Sequence, residues 1–417
     1  MRRAWNAGVA VVVMAAGAAG GQNLFVITGT SNGSAITPVG ADNIIDLVSD
    51  AMNNANQFTG LANTTASLSL SYAGVANAIT VDKNASNSFA TLTFLNPDGT
   101  RTTRTFDATG GGASLETLVT DYLKKNGSAD LATFFKAMNA QSLVAVSDGN
   151  PNASTARLAD YAFDRYGRYN RQAAMWSVVE NKDEKDGTGL QWRLGVSGAA
   201  FTAGDFDGTT AMVSSSVDWN FSNTVGTSLG TFVGYNSVGD ASVFHVGLNL
   251  GVPIRPVKAT EELPLTWQIT PSISVAGSGS QELGAGGLIY SGAGTSLLRW
   301  DVNDWLTLEM SNQFGFYRGE KLTFGDFSID PGVDQQILKN GVQAMFKLGD
   351  SDWYAYGGVS HTKFMKDAAV DSYVTPEIGL AFRKVSGKGS TFEVGFRGDI
   401  GSDYKAYGAR VGVNVAF

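Results

Sequence analysis

From about Leu190 to Phe417, apolar and polar residues alternate with a period of two. Phe244, Val246, Leu248, Leu250, Val252 and Ile254 interleave with Val243, His245, Gly247, Asn249, Gly251 and Pro253. Leu306, Leu308, Met310, Phe314 and Phe316 interleave with Thr307, Glu309, Ser311, Gln313 and Gly315, and Phe392, Val394 and Phe396 with Glu393, Gly395, Arg397 and Asp399. Successive side chains of an extended strand point to opposite faces, so this period predicts strands with one apolar face and one face of Gly, Ser, Thr and charge. Thirteen candidate strands can be counted. Assigning Leu322 to Phe327 to a long outer loop leaves twelve, and an even number lets both barrel ends face one side. Trp192, Trp219, Tyr235, Trp267, Trp300, Trp305, Tyr317 and Trp353 fall near strand ends, where membrane interfaces place aromatics. Asn223-Thr224, Val302-Asn303-Asp304, Gly349-Asp350-Ser351 and Gly387-Lys388-Gly389 predict short turns on one side. Longer connections are expected on the other, notably Arg318 to Gln336. The fold class expected is mainly β, a transmembrane antiparallel β-barrel of about twelve strands over residues 190–417.

The pattern before residue 190 is different. Arg2 and Arg3, the apolar run Ala7 to Ala16 and the small residues up to Gly21 predict a signal peptide over residues 1–21, cleaved between Ala18 and Gln22. Residues 22–152 read as a small α/β domain. Its expected strands are Leu24 to Thr28, Ser67 to Thr80, and Phe89 to Phe106 folded at Asn96-Pro97-Asp98-Gly99. Its expected helices are Asp42 to Met52, Ser114 to Lys124 and Asp130 to Met138. At Ser114 the capping box is incomplete, because Thr117 stands where Glu or Gln would close it. Residues 153–182 read as a helical linker or barrel plug. Leu158, Ala162, Tyr166, Tyr169, Ala173 and Trp176 form one stripe, and Arg157, Arg165, Arg168 and Arg171 lie on other faces. Gly167 interrupts that stripe.

Composition narrows the choice. Among 417 residues there are no Cys, two His, 51 Gly and only 16% charged residues. Disulfides, thiolate metal sites and cysteine nucleophiles are excluded. The formal net charge of −8 disfavours nucleic acid as a partner. No run after the signal region reaches the roughly 18 apolar residues of a membrane helix. The lipid bilayer is the partner that the strand pattern implies.

Facing the lumen, the alternation places Arg193, Asp218, His245, Arg299, Asp301, Glu309, Glu377, Arg383, Glu393, Arg397, Asp399 and Arg410. Four arginines on the preceding segment could pair with the acidic members. Gly226, Ser228, Gly395 and Gly412 leave room. No catalytic, cofactor or metal residue is assigned, and the chain is not expected to be an enzyme. Gly226-Thr-Ser228-Leu-Gly230 matches a nucleophile elbow but lies inside a strand, the wrong context. His245 is expected one or two same-face steps from Ser228, about 7 Å each, and His361 neighbours Lys363 and Lys366 rather than carboxylates. Asp205, Asp207, Asp326, Asp330 and Asp334 are read as solvated loop acids rather than a Ca²⁺ site.

The chain ends Tyr407-Gly-Ala-Arg-Val411-Gly-Val413-Asn-Val415-Ala-Phe417. That alternating strand with its terminal Phe resembles the last strand of bacterial outer-membrane β-barrels. The resemblance implies a Gram-negative outer membrane and an assembly machinery that reads Val411, Val413, Val415 and Phe417. The layout also looks like an autotransporter, in which a helix threads a C-terminal barrel and an N-terminal passenger passes through it. The likeness implies a translocator or anchor presenting its own N-terminal domain. A narrow porin-like channel with a periplasmic N-terminal domain is the alternative, and an outer-membrane hydrolase a third.

Overall fold

The computed structural model describes residues 23–41, 64–122, 128–168, 189–222, 224–260, 262–324, 327–384 and 390–416. The expected signal peptide, the helix over 42–52, the stripe beyond Arg168 with Arg171, and Phe417 lie outside the described residues.

Twelve long strands form the C-terminal half. They are β8 (Gly189–Ala203), β9 (Phe206–Asn220), β10 (Gly226–Val238), β11 (Ala241–Gly251), β13 (Leu265–Ser280), β14 (Ala285–Asn303), β15 (Leu306–Glu320), β18 (Asp334–Lys347), β19 (Trp353–Phe364), β20 (Ser372–Lys384), β21 (Ser390–Gly401) and β22 (Tyr404–Ala416). Each pairs antiparallel with the next, and β22 returns to β8 from Tyr404↔Ala203 to Ala416↔Gln191, closing the cylinder. Closure leaves no unpaired edge in lipid. The short β12 (Ile254–Val257) pairs with β13 and bridges Val225 through Ile254, while β16 (Leu322–Phe324) and β17 (Phe327–Ile329) form a separate hairpin within the long loop.

The alternation expected from the sequence is the alternation of exposure. Leu229 and Val233 on β10 are each 57% exposed, whereas Phe232 between them is 1% exposed. Every described tryptophan (192, 219, 267, 300, 305 and 353) lies near one rim, where β8 begins and β22 ends. This is the terminal rim. Tyr317 is not an interfacial residue as expected: it continues the inward set of β15 and is fully buried. The turn pattern also differs. At the opposite rim the loop 321–333 is long, yet Gly204-Asp205, Gly239-Asp240 and Ser402-Asp403 are two-residue hairpins. Three of these residues (Gly204, Gly239 and Asp403) take the positive φ that such tight turns demand.

That opposite rim is covered and forms the capped rim. The N-terminal region is an antiparallel sheet of β1 (Phe25–Ser31), β2 (Ser34–Ala35), β3 (Val39–Ala41), β4 (Ala66–Tyr72), β5 (Val75–Lys83), β6 (Phe89–Leu95) and β7 (Arg101–Asp107). Its order is β2-β1-β4-β5-β6-β7, with β3 also on β1. The continuous strand expected over Ser67 to Thr80 is instead a hairpin. Ala73 and Gly74 turn it with φ of 48° and 82°, and an alanine in a left-handed position hides the turn from sequence. Helices α1 (Leu115–Asp121) and α2 (Ser128–Gln141) pack on this sheet through Leu92, Phe94, Phe106, Phe134 and Met138. Ser114 caps α1 by accepting a hydrogen bond from Thr117 N at 3.1 Å, so the cap forms without the reciprocal Glu.

The sheet stands on the barrel by its strand ends. Leu24, Phe25, Val39, Ala41 and Ala73 share one apolar cluster with Phe201, Phe206, Val238, Leu283, Val370 and Tyr404 of the rim. Tyr72 donates its hydroxyl to Leu283 O at 2.5 Å, and Asn139 Nδ2 donates to Pro331 O at 2.9 Å.

Candidate functional site: a charged seam inside the barrel

The segment 142–153 leads from α2 into the lumen and delivers α3 (Ser154–Tyr166). Every residue of α3 except Arg157 and Asp164 is buried. Its partners lie on β9, β10, β11, β18, β21 and β22, so the barrel encloses it. The helix has no side-chain cap; Ser154 N and Thr155 N donate instead to Val146 O and Ser147 O at 3.1 and 3.2 Å. It stops at Gly167, whose carbonyl accepts from Ser311 Oγ.

One side of α3 is small and apolar. Ala156, Leu158, Ala159 and Tyr161 join Phe232, Ile289, Tyr317, Ile337, Phe364 and Tyr373 of the wall. The other side carries charge. Asp160 receives Lys339 Nζ, Arg397 Nη2 at 2.9 Å and the Tyr373 hydroxyl at 3.2 Å. Asp164 faces Arg397 Nη1 at 3.6 Å and Arg410 Nη1 at 3.8 Å. Arg410 in turn meets Glu377 directly and Glu393 at 3.9 Å. Nearer the terminal rim, Arg165 Nη2 and Arg193 Nε converge on Asp218 at 3.2 and 2.7 Å, with Ser228 between Asp218 and Arg165. Buried ions persist only when each finds a partner, and here the partners come from both helix and wall.

Two glycines make the fit possible. A Cβ on Gly230 would stand 1.8 Å from Arg165 Nη1, and one on Gly251 would stand 2.4 Å from the Tyr166 hydroxyl. Elsewhere the wall is set back. Beside the charged side of α3, where Gly195, Ser197, Ser214 and Gly412 are small, cavities of about 100 and 40 Å³ remain.

Of the expected lumen residues, the structure brings together Arg193 with Asp218, and Arg397, Asp399, Arg410, Glu377 and Glu393 around Asp160 and Asp164. Glu309 is buried in the wall. Arg299 and Asp301 pair with each other at 2.7 Å, partly exposed and away from α3. Arg383 lies on β20, but its side chain is outside the description. Among the helix arginines, Arg165 meets an acid. Arg157 hydrogen-bonds Asn152 Oδ1, Thr210 Oγ1 and Asn236 Oδ1 at 2.7, 2.6 and 3.3 Å, and Arg168 lies 5.3 Å from the Phe163 ring centroid. Val411, Val413 and Val415 take the outward positions of β22, opposite in phase to buried Arg410 and Asn414. Sequence reading missed Asp160, Asp164 and Lys339. The clue was available: Asp160 and Asp164 sit four apart, on a helical stripe beside Arg157 and Arg165.

His245 sits elsewhere than expected. It pairs with Gly234, three same-face steps from Ser228 and so about 20 Å away along the strand. Its Nδ1 lies 3.0 Å from Ser154 Oγ and its Nε2 2.9 Å from Asn236 Nδ2. An amide nitrogen only donates, so Nε2 accepts and Nδ1 carries the proton. His245 therefore donates to Ser154, whose hydroxyl turns to Val146 O at 3.3 Å. That polarity locks α3 to the wall and does not activate a nucleophile. Among the described residues no group of three His, Asp or Glu is arranged to hold a metal ion, and no helix is long and apolar enough to cross a membrane.

A closed cylinder with an apolar outer face, a tryptophan belt and a polar interior is an integral β-barrel of the outer membrane. No protein-family model matches the chain, and no curated protein does. Solved structures resemble it in fold. The translocator domain of the autotransporter NalP from Neisseria meningitidis is 14% identical, with a TM-score of 0.41, covering 63% of this chain and 98% of that one. The transport unit of the autotransporter AIDA-I from Escherichia coli is 14% identical, with a TM-score of 0.38, covering 60% and 100%. An outer-membrane channel from Pseudomonas putida is 9% identical, with a TM-score of 0.41, covering 55% and 96%.

Proposed function

We propose that the barrel anchors and presents its own N-terminal domain, as an autotransporter-like translocator whose residues 153–182 form the tether and plug. The observation that carries this reading is one of direction. The N-terminal sheet and the start of α3 meet the capped rim, whereas β8 enters the wall at the terminal rim. The described chain thus enters the lumen from the capped rim, and the wall that follows begins at the terminal rim. With the terminal rim toward the periplasm, where barrels of this class keep their strand termini, the sheet stands outside the cell. The role is mechanical rather than catalytic, supported by the direction of the Ser154–His245 hydrogen bond. Val411, Val413, Val415 and Phe417 are the proposed recognition strand for the assembly machinery.

Intact cells treated with protease should lose residues 22–152, followed with an antibody against that region. Full protection until the outer membrane is opened would overturn the reading. Protection would favour a narrow solute channel with a periplasmic domain, a second reading that the two cavities beside α3 support.

A further inference from the structure

The N-terminal sheet ends in an edge that no part of the barrel covers. On β7, Arg101, Thr103, Arg104, Thr105 and Asp107 are all exposed. Asn96 N donates to Thr100 O at 2.9 Å and Ala108 N to Ser88 O at 2.7 Å, so even-numbered residues bond to β6. The backbone groups of Arg101, Thr103, Thr105 and Asp107 therefore point away from the sheet, unpaired within it. Natural edges are usually shortened, bulged or covered, because such a row templates another strand.

The edge is self-complementary in one register. Antiparallel pairing centred on Arg104 sets Arg101 opposite the partner's Asp107 and Thr103 opposite the partner's Thr105. All four are outward-bonding residues, so the ladder and the charges agree. Arg104 would face its own copy, but its charge is already held by Asp130 at 2.6 and 2.9 Å on the helix side. The rows of hydroxyl-bearing side chains also continue across the join. Thr28, Ser69, Thr80, Thr93 and Thr103 lie side by side on consecutive strands, and the partner's Thr105 and Thr91 extend that row.

We propose that β7 is a self-association edge, at which a second copy of this chain pairs antiparallel about a twofold axis through Arg104. The sheet stands end-on on its barrel, with Phe25, Tyr72 and the Arg101 end of β7 toward the rim. Reversing strand direction puts the two barrels at opposite ends of the joined sheet. The pair therefore forms between facing bilayers or in detergent, and not side by side in one bilayer.

The full chain in detergent, sized by light scattering, should be a concentration-dependent dimer. R101D and D107R should each shift it to monomer by setting like charges opposite, and R101D/D107R should restore the dimer. The protein has no native cysteine. Oxidising a mixture of T103C and T105C chains should therefore cross-link far more than either alone, because only the mixed pair is directly opposed. A monomer at every concentration, or a dimer indifferent to the charge exchanges, would overturn the proposal. The cross-linking arm decides the register even if one charge variant folds poorly.

Discussion

At the scale of single residues, Asp160 is the anion on which the lumen network turns, because Lys339 and Arg397 both spend their charge on it. Asp160→Asn keeps the shape and leaves two buried cations short of one negative charge. Removing one partner of a buried pair costs about 3–5 kcal/mol. The variant barrel should lose its heat-resistant gel mobility at a clearly lower temperature than wild type, and D160N/K339M should recover much of the loss. Asp148, in the segment before α3, behaves oppositely to an exposed carboxylate. Burial pushes its pKa up to about 6, although Thr155 Oγ1 and Gly149 N donate to it. Its folded form prefers the proton. The stability it contributes is complete below the ordinary carboxylate pKa and disappears as pH rises through about 6. Proteolysis within residues 142–153 should be slower near about pH 5 than about pH 7.5, and D148N should flatten that dependence. Asp148 did not stand out in the sequence, because an aspartate looks the same whether solvated or enclosed, and Asp160 was marked only by its spacing of four from Asp164.

Elements were more legible than residues. The wall strands could be read because lipid and lumen impose opposite demands on alternate positions, and β16 and β17 fell where a loop was expected. What the pattern misjudged were places where a backbone conformation rather than a face decides: the turn at Ala73-Gly74, and the two-residue hairpins of the capped rim. A rim that carries a folded domain has no room for long loops over most of its circumference. For α3, the arginines suggested a polar lumen, but the enclosing half of the argument, Phe232, Ile289, Tyr317 and Tyr373, could not be seen without the barrel's radius. Deleting residues 153–182 removes the helix and leaves its seat in the wall empty. In planar bilayers the wild-type barrel should pass little current and the deletion should pass several-fold more; equal currents would mean that the helix does not limit flow.

For the whole molecule, the joint between sheet and rim is apolar where the outer wall is also apolar, which leaves the barrel two greasy regions at right angles. Deleting residues 22–152 uncovers Phe201, Phe206, Val238, Leu283, Val370 and Tyr404. Such a barrel should remain folded, since its strand ladder is closed, but should bind a hydrophobic dye at the mouth and precipitate on dilution of detergent. Equal dye binding with and without the domain would mean that the cap does not shield this ring. No reading of the linear pattern could supply that joint, because its members come from eight separate stretches of chain.

The tryptophans at one rim give the protein an optical polarity. An indole prefers the boundary between tails and headgroups. With every described indole of the wall at the terminal rim, light emitted by the wall originates in a single leaflet. A brominated lipid confined to that leaflet would darken it, while the same lipid in the other leaflet would leave it bright.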